Sequence, residues 1–249
     1  MKKVLEVCVD SLESARNAVA GGADRLELCS ALCIGGLTPY KALLEQIRRE
    51  FDIPIRCLMR PRAGDFLYTA EEIHMMARQI RELKAAGADG FVIGCLDPEG
   101  YPDEEAMESL AEAARGCGLT LHRAIDVSRD MEQTYLVAAS LGIDTVLTSG
   151  GRASCVSGVD MLRRLLELRD KVNGPEVLIG AGVNAGVIRL LRQELPNARA
   201  FHMSGKENVP SGMVFRREGV PMGIAGFDEW HIPRTSREAV RQAREALDE

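Results

Sequence analysis

The chain has 249 residues and a mass of 27.2 kDa, too long for a disulfide-stapled module and short for two full α/β domains. Apolar residues make up 46%, enough for a core without metals or disulfides, and with aromatics at only 4% that core has to be aliphatic. The net charge of −6 argues against nucleic acid or an anionic membrane surface as the main partner.

The start, Met1-Lys2-Lys3-Val4-Leu5-Glu6, carries charge too early for a signal peptide, and no run approaches the ~18 apolar residues of a membrane span. The expected location is therefore the cytoplasm. The seven cysteines are then free thiols, several of them small buried hydrophobes. No CxxC occurs, which removes zinc-ribbon and thioredoxin readings.

From the N-terminus, short apolar runs alternate with amphipathic stretches. The strand candidates are Val4–Val9, Arg25–Cys29, Ile53–Met59, Phe91–Leu96, Leu119–Ala124, Thr145–Thr148, Val177–Ile179 and Ala200–Met203. Helical periodicity marks Pro39–Phe51, Ala70–Ala86, Asp103–Arg115 and Val159–Leu168 among the intervening segments, with a last helix at Ser236–Leu247. Ser11 caps the first helix, Thr38 stands as N-cap before an N1 proline, and Thr69–Glu72 reads as a capping box. Gly22-Ala23-Asp24, Gly87-Ala88-Asp89 and Gly142-Ile143-Asp144 repeat one helix-to-strand turn before strands two, four and six. Eight units of about 31 residues predict one (β/α)8 TIM barrel over residues 1–249. The Gly- and Pro-rich stretch from Gly205 to Pro233 is expected to be a long loop at the barrel mouth, after strand eight. No GxGxxG follows the first strand, so no nucleotide cofactor is implied.

Alternate strand residues of a barrel point inward, and the outer face is covered by helices. Glu27, between Leu26 and Leu28, then has few places to go but the interior, and Glu6 joins it from strand one. Two buried carboxylates need an arginine, a metal or a shared proton, and Arg60 and Arg56 are the near cations. These residues predict an acid/base site in which Glu6 or Glu27 moves a proton and Arg60 or Arg62 holds an anionic substrate. His122, close to Arg123 and Asp126, is the natural proton shuttle because its intrinsic pKa lies near neutrality. Gly180, Gly182 and Ser204, at the ends of strands seven and eight, fit a phosphate or other oxyanion site; the alternative is that the glycines only allow close packing. Lys206 is the only lysine at a strand end and His-x-His is absent, which disfavours Schiff-base aldolases and dinuclear zinc hydrolases. Cys8 and Cys29, each two residues after a glutamate on neighbouring strands, are either core residues or ligands for a soft ion.

Glu6-Val7-Cys8, Gly21–Cys29, Gly35–Pro39, Arg60–Tyr68, His122–Asp126, Val146–Gly150 and Ser211–Arg216, in that order, resemble the CutC family. The resemblance implies a TIM-barrel-like fold, a cytoplasmic homodimer and a role in copper homeostasis, with Cu(I) binding at Cys8 and Cys29. Its motifs also land on Glu6, Glu27, Arg60, Arg62, His122, Asp126, Ser149 and Arg216, and they add Ser149, Gly150 and Arg216 to the anion-binding candidates. Two functions follow: a copper-homeostasis protein whose partner is the copper ion, or a barrel enzyme acting on a small anionic ligand, a phosphorylated one included. Neither involves nucleic acid or a membrane.

Overall fold

A computed structural model describes residues 3–217, 219–220, 222–224 and 226–249. Met1 and Lys2, part of the start read above, lie outside the described residues, as do Glu218, Pro221 and Ala225 of the Gly205–Pro233 stretch.

Eight parallel strands close into a barrel in sequence order: β1 Val4–Val9, β2 Arg25–Leu28, β3 Ile55–Leu58, β4 Gly90–Ile93, β5 Gly118–Leu121, β6 Thr145–Thr148, β7 Glu176–Ile179 and β8 Ala200–Met203. The helices are α1 Leu12–Ala20, α2 Lys41–Glu50, α3 Ala70–Ala85, α4 Glu104–Ala113, α5 Met131–Ser140, α6 Val159–Val172, α7 Ala185–Glu194 and α8 Arg237–Asp248. This is the TIM barrel expected from the spacing. The expected strands extend a residue or more past several observed ends, because the apolar run continues into the turn leaving the barrel.

Side chains alternate across the wall, as the period of two requires. On β1, Leu5, Val7 and Val9 join the aliphatic core against the helices. Cys8 instead packs with Cys29, Leu58 and Val92 in a separate cluster, and Val4 with Leu147, Leu178 and Ala200 in another.

The repeated Gly-x-Asp turn has a defined job. Gly22, Gly87 and Gly142 have φ of +94°, +101° and +72° and reverse the chain after a helix. The aspartate two residues on then reaches back to the preceding strand. Asp24, Asp89 and Asp144 accept the backbone N–H of Leu5, Ile55 and Leu119 at 2.8, 2.7 and 2.9 Å. Each also binds an arginine: Arg244, Arg48 and Arg56. Three of the eight barrel joints are thus pinned by the same charge-assisted contact.

Two expectations are corrected. Thr38 does not cap α2: the helix starts at Lys41 behind Tyr40, and the Thr38 hydroxyl accepts the Arg60 N–H at 3.0 Å, fastening the β2 exit to the β3 exit. The stretch after β8 is not all loop. Lys206–Pro210 (β9) pairs antiparallel with His231–Thr235 (β10), forming a two-stranded ribbon. Glu207 and Arg234 face each other across it at 2.9 Å, and Arg234 also binds Glu13 of α1. Thr235 is tied to Ser204, Ser14 and Asn17. Pro210 and Pro233 obscured these strands in the sequence, yet a free-standing ribbon has edges where a missing N–H costs little.

Candidate metal and acid–base site at the barrel mouth

Register decides which interior side chains meet. Glu6 lies opposite Arg25 on β2 and opposite His202 on β8, and Cys8 lies opposite Glu27. Glu6 is wholly buried and holds two cations: the Arg25 guanidinium, and His202 Nδ1 at 2.9 Å from Oε1. His202 Nε2 then lies 3.8 Å from a Glu27 carboxylate oxygen. Cys8, Glu27 and His202 offer a sulfur, an oxygen and a nitrogen that all fall within 4.8 Å of one another.

The cations serving the two buried carboxylates are therefore Arg25 and His202, not the expected Arg60 and Arg56. Arg56 runs toward the opposite end of the barrel, where it binds Asp144 at 2.7 Å, Thr120 at 2.7 Å and Thr145 at 3.2 Å. Gly90 and Gly118 line its path. A Cβ at Gly90 would sit 2.8 Å from Arg56 Cγ, and one at Gly118 would sit 2.6 Å from Nη2.

Environment separates the two glutamates. Burial pushes the Glu6 carboxyl up, but Arg25 and the His202 hydrogen bond outweigh it and hold Glu6 at about 2. Burial pushes Glu27 up to about 7, with the neighbouring Glu6 charge adding to the rise and His202 only partly opposing it. Burial works against a charged His202, yet Cys8, Glu27 and its bonds to Cys8 and Glu6 raise it well above its ordinary value. Near neutral pH the cluster thus holds one fixed carboxylate, one imidazolium and one carboxyl poised to gain or lose a proton.

A cavity of about 480 Å³ opens over this cluster. Cys8, Glu27, Arg60, His122, Gly182, His202 and Ser204 line it, together with Asp10, Cys33 and Lys206. Among the residues expected at the site, then, Cys8, Glu27, Arg60, His122, Gly182 and Ser204 come together at the mouth, with Glu6 directly beneath.

The others are placed differently. Arg62 binds Asp65 at 2.9 Å and Glu72 at 2.7 Å outside the cavity. Asp126 is the centre of a knot: it accepts Thr148 Oγ1, the N–H groups of Ser149 and Gly151, and Arg123. Ser149 is wholly buried in that knot, and the positive φ of Gly150, +73°, lets the chain turn there against Gly158. Gly180 gives room to Leu147, which a Cβ would approach to 2.7 Å, consistent with the packing alternative. Arg216 lies over the Trp230 ring on the stretch joining β9 and β10.

Two chemical expectations also shift. His122 is buried and its Nδ1 accepts the Ala124 N–H at 3.1 Å; burial, with Arg60 nearby, takes it down to about 3, so it does not titrate near neutrality. Cys29 shares the interior cluster with Cys8, but its Sγ donates to the Val9 carbonyl at 3.4 Å and burial raises its thiol well above the ordinary value. The sequence alone assigns Arg25 no role at the site and offers His202 only as a polar residue of strand eight. Both lie in phase with Glu6 along their strands, a signal visible only once register is known.

Fold and site together define the class: an eight-stranded parallel barrel whose C-terminal mouth carries a buried Cys–Glu–His cluster. The chain matches the CutC family over residues 3–206. It is 40% identical to a family protein CutC of Vibrio campbellii, with all of both chains covered, and 40% identical to one of Porphyromonas gingivalis, with 99% of both covered. A Streptococcus agalactiae structure, provisionally described as the copper homeostasis protein CutC, superposes with a TM-score of 0.76 at 26% identity over 81% of this chain and 98% of that one. A thiamine phosphate pyrophosphorylase from Pyrococcus furiosus shares the fold alone, at TM-score 0.56 and 17% identity over 98% and 95% of the two chains. The chain belongs to the CutC family.

Proposed function

We propose that this protein acts in copper homeostasis and takes Cu(I) as its cargo at the barrel mouth, through Cys8 with His202, and with Cys29 as a second thiol within the same interior cluster. One observation carries the reading: the Cys8, Glu27 and His202 donor atoms lie within 4.8 Å of one another. Thiolate and imidazole are donors that Cu(I) accepts, whereas the carboxylate is the poorer ligand. Glu6 supports the fit. It holds His202 Nδ1, leaving Nε2 directed toward Glu27, which is how a carboxylate orients a metal-binding histidine. The description of the Streptococcus agalactiae relative supports the same role. Anaerobic titration with Cu(I) against a competing chelator tests it. The wild type should bind one equivalent; Cys8→Ser/Cys29→Ser and His202→Ala should each lose affinity at least tenfold. Unchanged binding in both variants removes the reading.

A second reading rests on Glu27. A carboxyl near 7, facing a 480 Å³ cavity that also presents Arg60 and Lys206, suits proton transfer on a small anionic substrate. Incubating wild type and Glu27→Gln with cell-extract metabolites, and following depletion by mass spectrometry, tests it: consumption by the wild type alone supports turnover.

The proposed setting is a cytoplasmic homodimer. The family resemblance and the exposed Met213, Val214 and Phe215 beyond β9 favour self-association, and sedimentation measures it. No helix among the described residues is long and apolar enough to cross a membrane.

A further inference from the structure

Four buried side-chain atoms among the described residues have no hydrogen-bond partner: Arg60 Nε, Tyr68 Oη, Gln79 Oε1 and His122 Nε2. Two of them, Arg60 Nε and His122 Nε2, belong to residues that line the same cavity. Native proteins rarely leave such groups unmet, so each one asks for a partner.

Both atoms are donors. His122 Nδ1 accepts the Ala124 N–H, so it carries no hydrogen and the ring proton must be on Nε2. Arg60 gives its other nitrogens to backbone carbonyls: Nη1 to Ile34 and Gly36 at 3.0 and 2.9 Å, and Nη2 to Gly64 at 3.1 Å. These contacts fix the guanidinium in place. They leave its positive charge without a carboxylate among the described residues. The Phe66 ring packs on both groups, 4.7 Å from the His122 ring centroid and 5.6 Å from Arg60 Cζ. Neither donor is reached by solvent in this arrangement, and Phe66 is the ring packed on both side chains.

We propose that Arg60 Nε and His122 Nε2 form a carboxylate-binding subsite on the β3–β5 side of the mouth, across from the Cys8–Glu27–His202 cluster and covered by Phe66. The ligand class follows from the donors. Two single N–H groups and one unneutralised cation match the two oxygens and one charge of a carboxylate. A phosphate asks for more donors and more charge than this corner supplies. The subsite deepens the second reading above by naming the ligand class, and a carboxylate bound without turnover would keep the subsite while removing that reading.

The test uses metal-free, full-length protein with pyruvate as probe and inorganic phosphate as control, followed by the ¹⁵N signals of the His122 ring and the Arg60 Nε. Pyruvate should shift both signals saturably, and phosphate should shift neither at equal concentration. His122→Phe keeps an aromatic ring and removes the donor; it should weaken pyruvate binding at least tenfold while Arg62→Ala, outside the cavity, leaves it unchanged. Phe66→Ala, which removes the cover without touching a donor, should retain or tighten binding. No saturable shift in the wild type, equal binding by a folded His122→Phe, or preference for phosphate at these two nitrogens overturns the assignment.

Discussion

The two ends of the barrel interior carry similar chemistry and treat it in opposite ways. Toward the N-terminal end, Arg56 meets Asp144, Thr120 and Thr145, and Asp144 is further bound by Thr145 at 2.5 Å and the Leu119 N–H at 2.9 Å. The Arg56 charge is matched, and its Nη1 meets three acceptors. At the mouth, Arg25 and Glu6 form a matched pair too, but the groups above them are left short. Among the described residues, Glu27 has its paired cation at 3.8 Å, and two N–H donors across the mouth have no acceptor. A closed network stabilises the barrel and has no capacity for a ligand. An incomplete one costs stability and keeps that capacity.

Breaking the matched layer under the mouth should have the largest effect. Glu6→Ala strands the Arg25 charge in the barrel interior and should destabilise by about 3–5 kcal/mol in urea unfolding. The variant should also lose Cu(I) affinity, since His202 loses its orienting partner. At the closed end, Gly90→Ala places a Cβ 2.6 Å from the Gly118 carbonyl oxygen, which cannot move aside cheaply. A loss of about 1–3 kcal/mol is expected, with ligand binding at the mouth intact. Equal damage to binding would show that the two ends are coupled.

The pH response separates the glutamates. Glu6, lowered to about 2, contributes stability above its unfolded value of 4.5 that is lost as pH falls toward 2. Glu27, raised to about 7, does the reverse: its contribution is present below 4.5 and is lost as pH rises through 7. Glu27→Gln should therefore gain on the wild type in chemical unfolding between pH 5 and 8. A constant difference across that range would mean Glu27 is not held protonated. The smallest effect belongs to Arg62→Ala. Its pairs with Asp65 and Glu72 are at the surface, so the cost should be under about 1 kcal/mol with ligand binding unchanged.

The barrel was largely legible because its signals are local. Gly22, Gly87 and Gly142 mark the turns, and the aliphatic runs mark the walls. Glu27 between two leucines pointed inward for the same reason. The site was only half legible because pairing between strands is not local. The sequence placed Arg60 with the glutamates, yet β1–β2 register gives that place to Arg25, and β1–β8 register brings in His202 from 196 residues away. Asp126 stands by residue type as an acid/base candidate and Ser149 as an anion-binding one, yet the two are bound to each other. Type alone cannot show whether a polar group's bonds are already filled.

X-ray absorption on the one-equivalent Cu(I) complex tests the central claim most directly. The account predicts a mixed shell with both sulfur and imidazole nitrogen, and loss of the nitrogen contribution in His202→Ala. A purely sulfur shell that is identical in wild type and His202→Ala would contradict it.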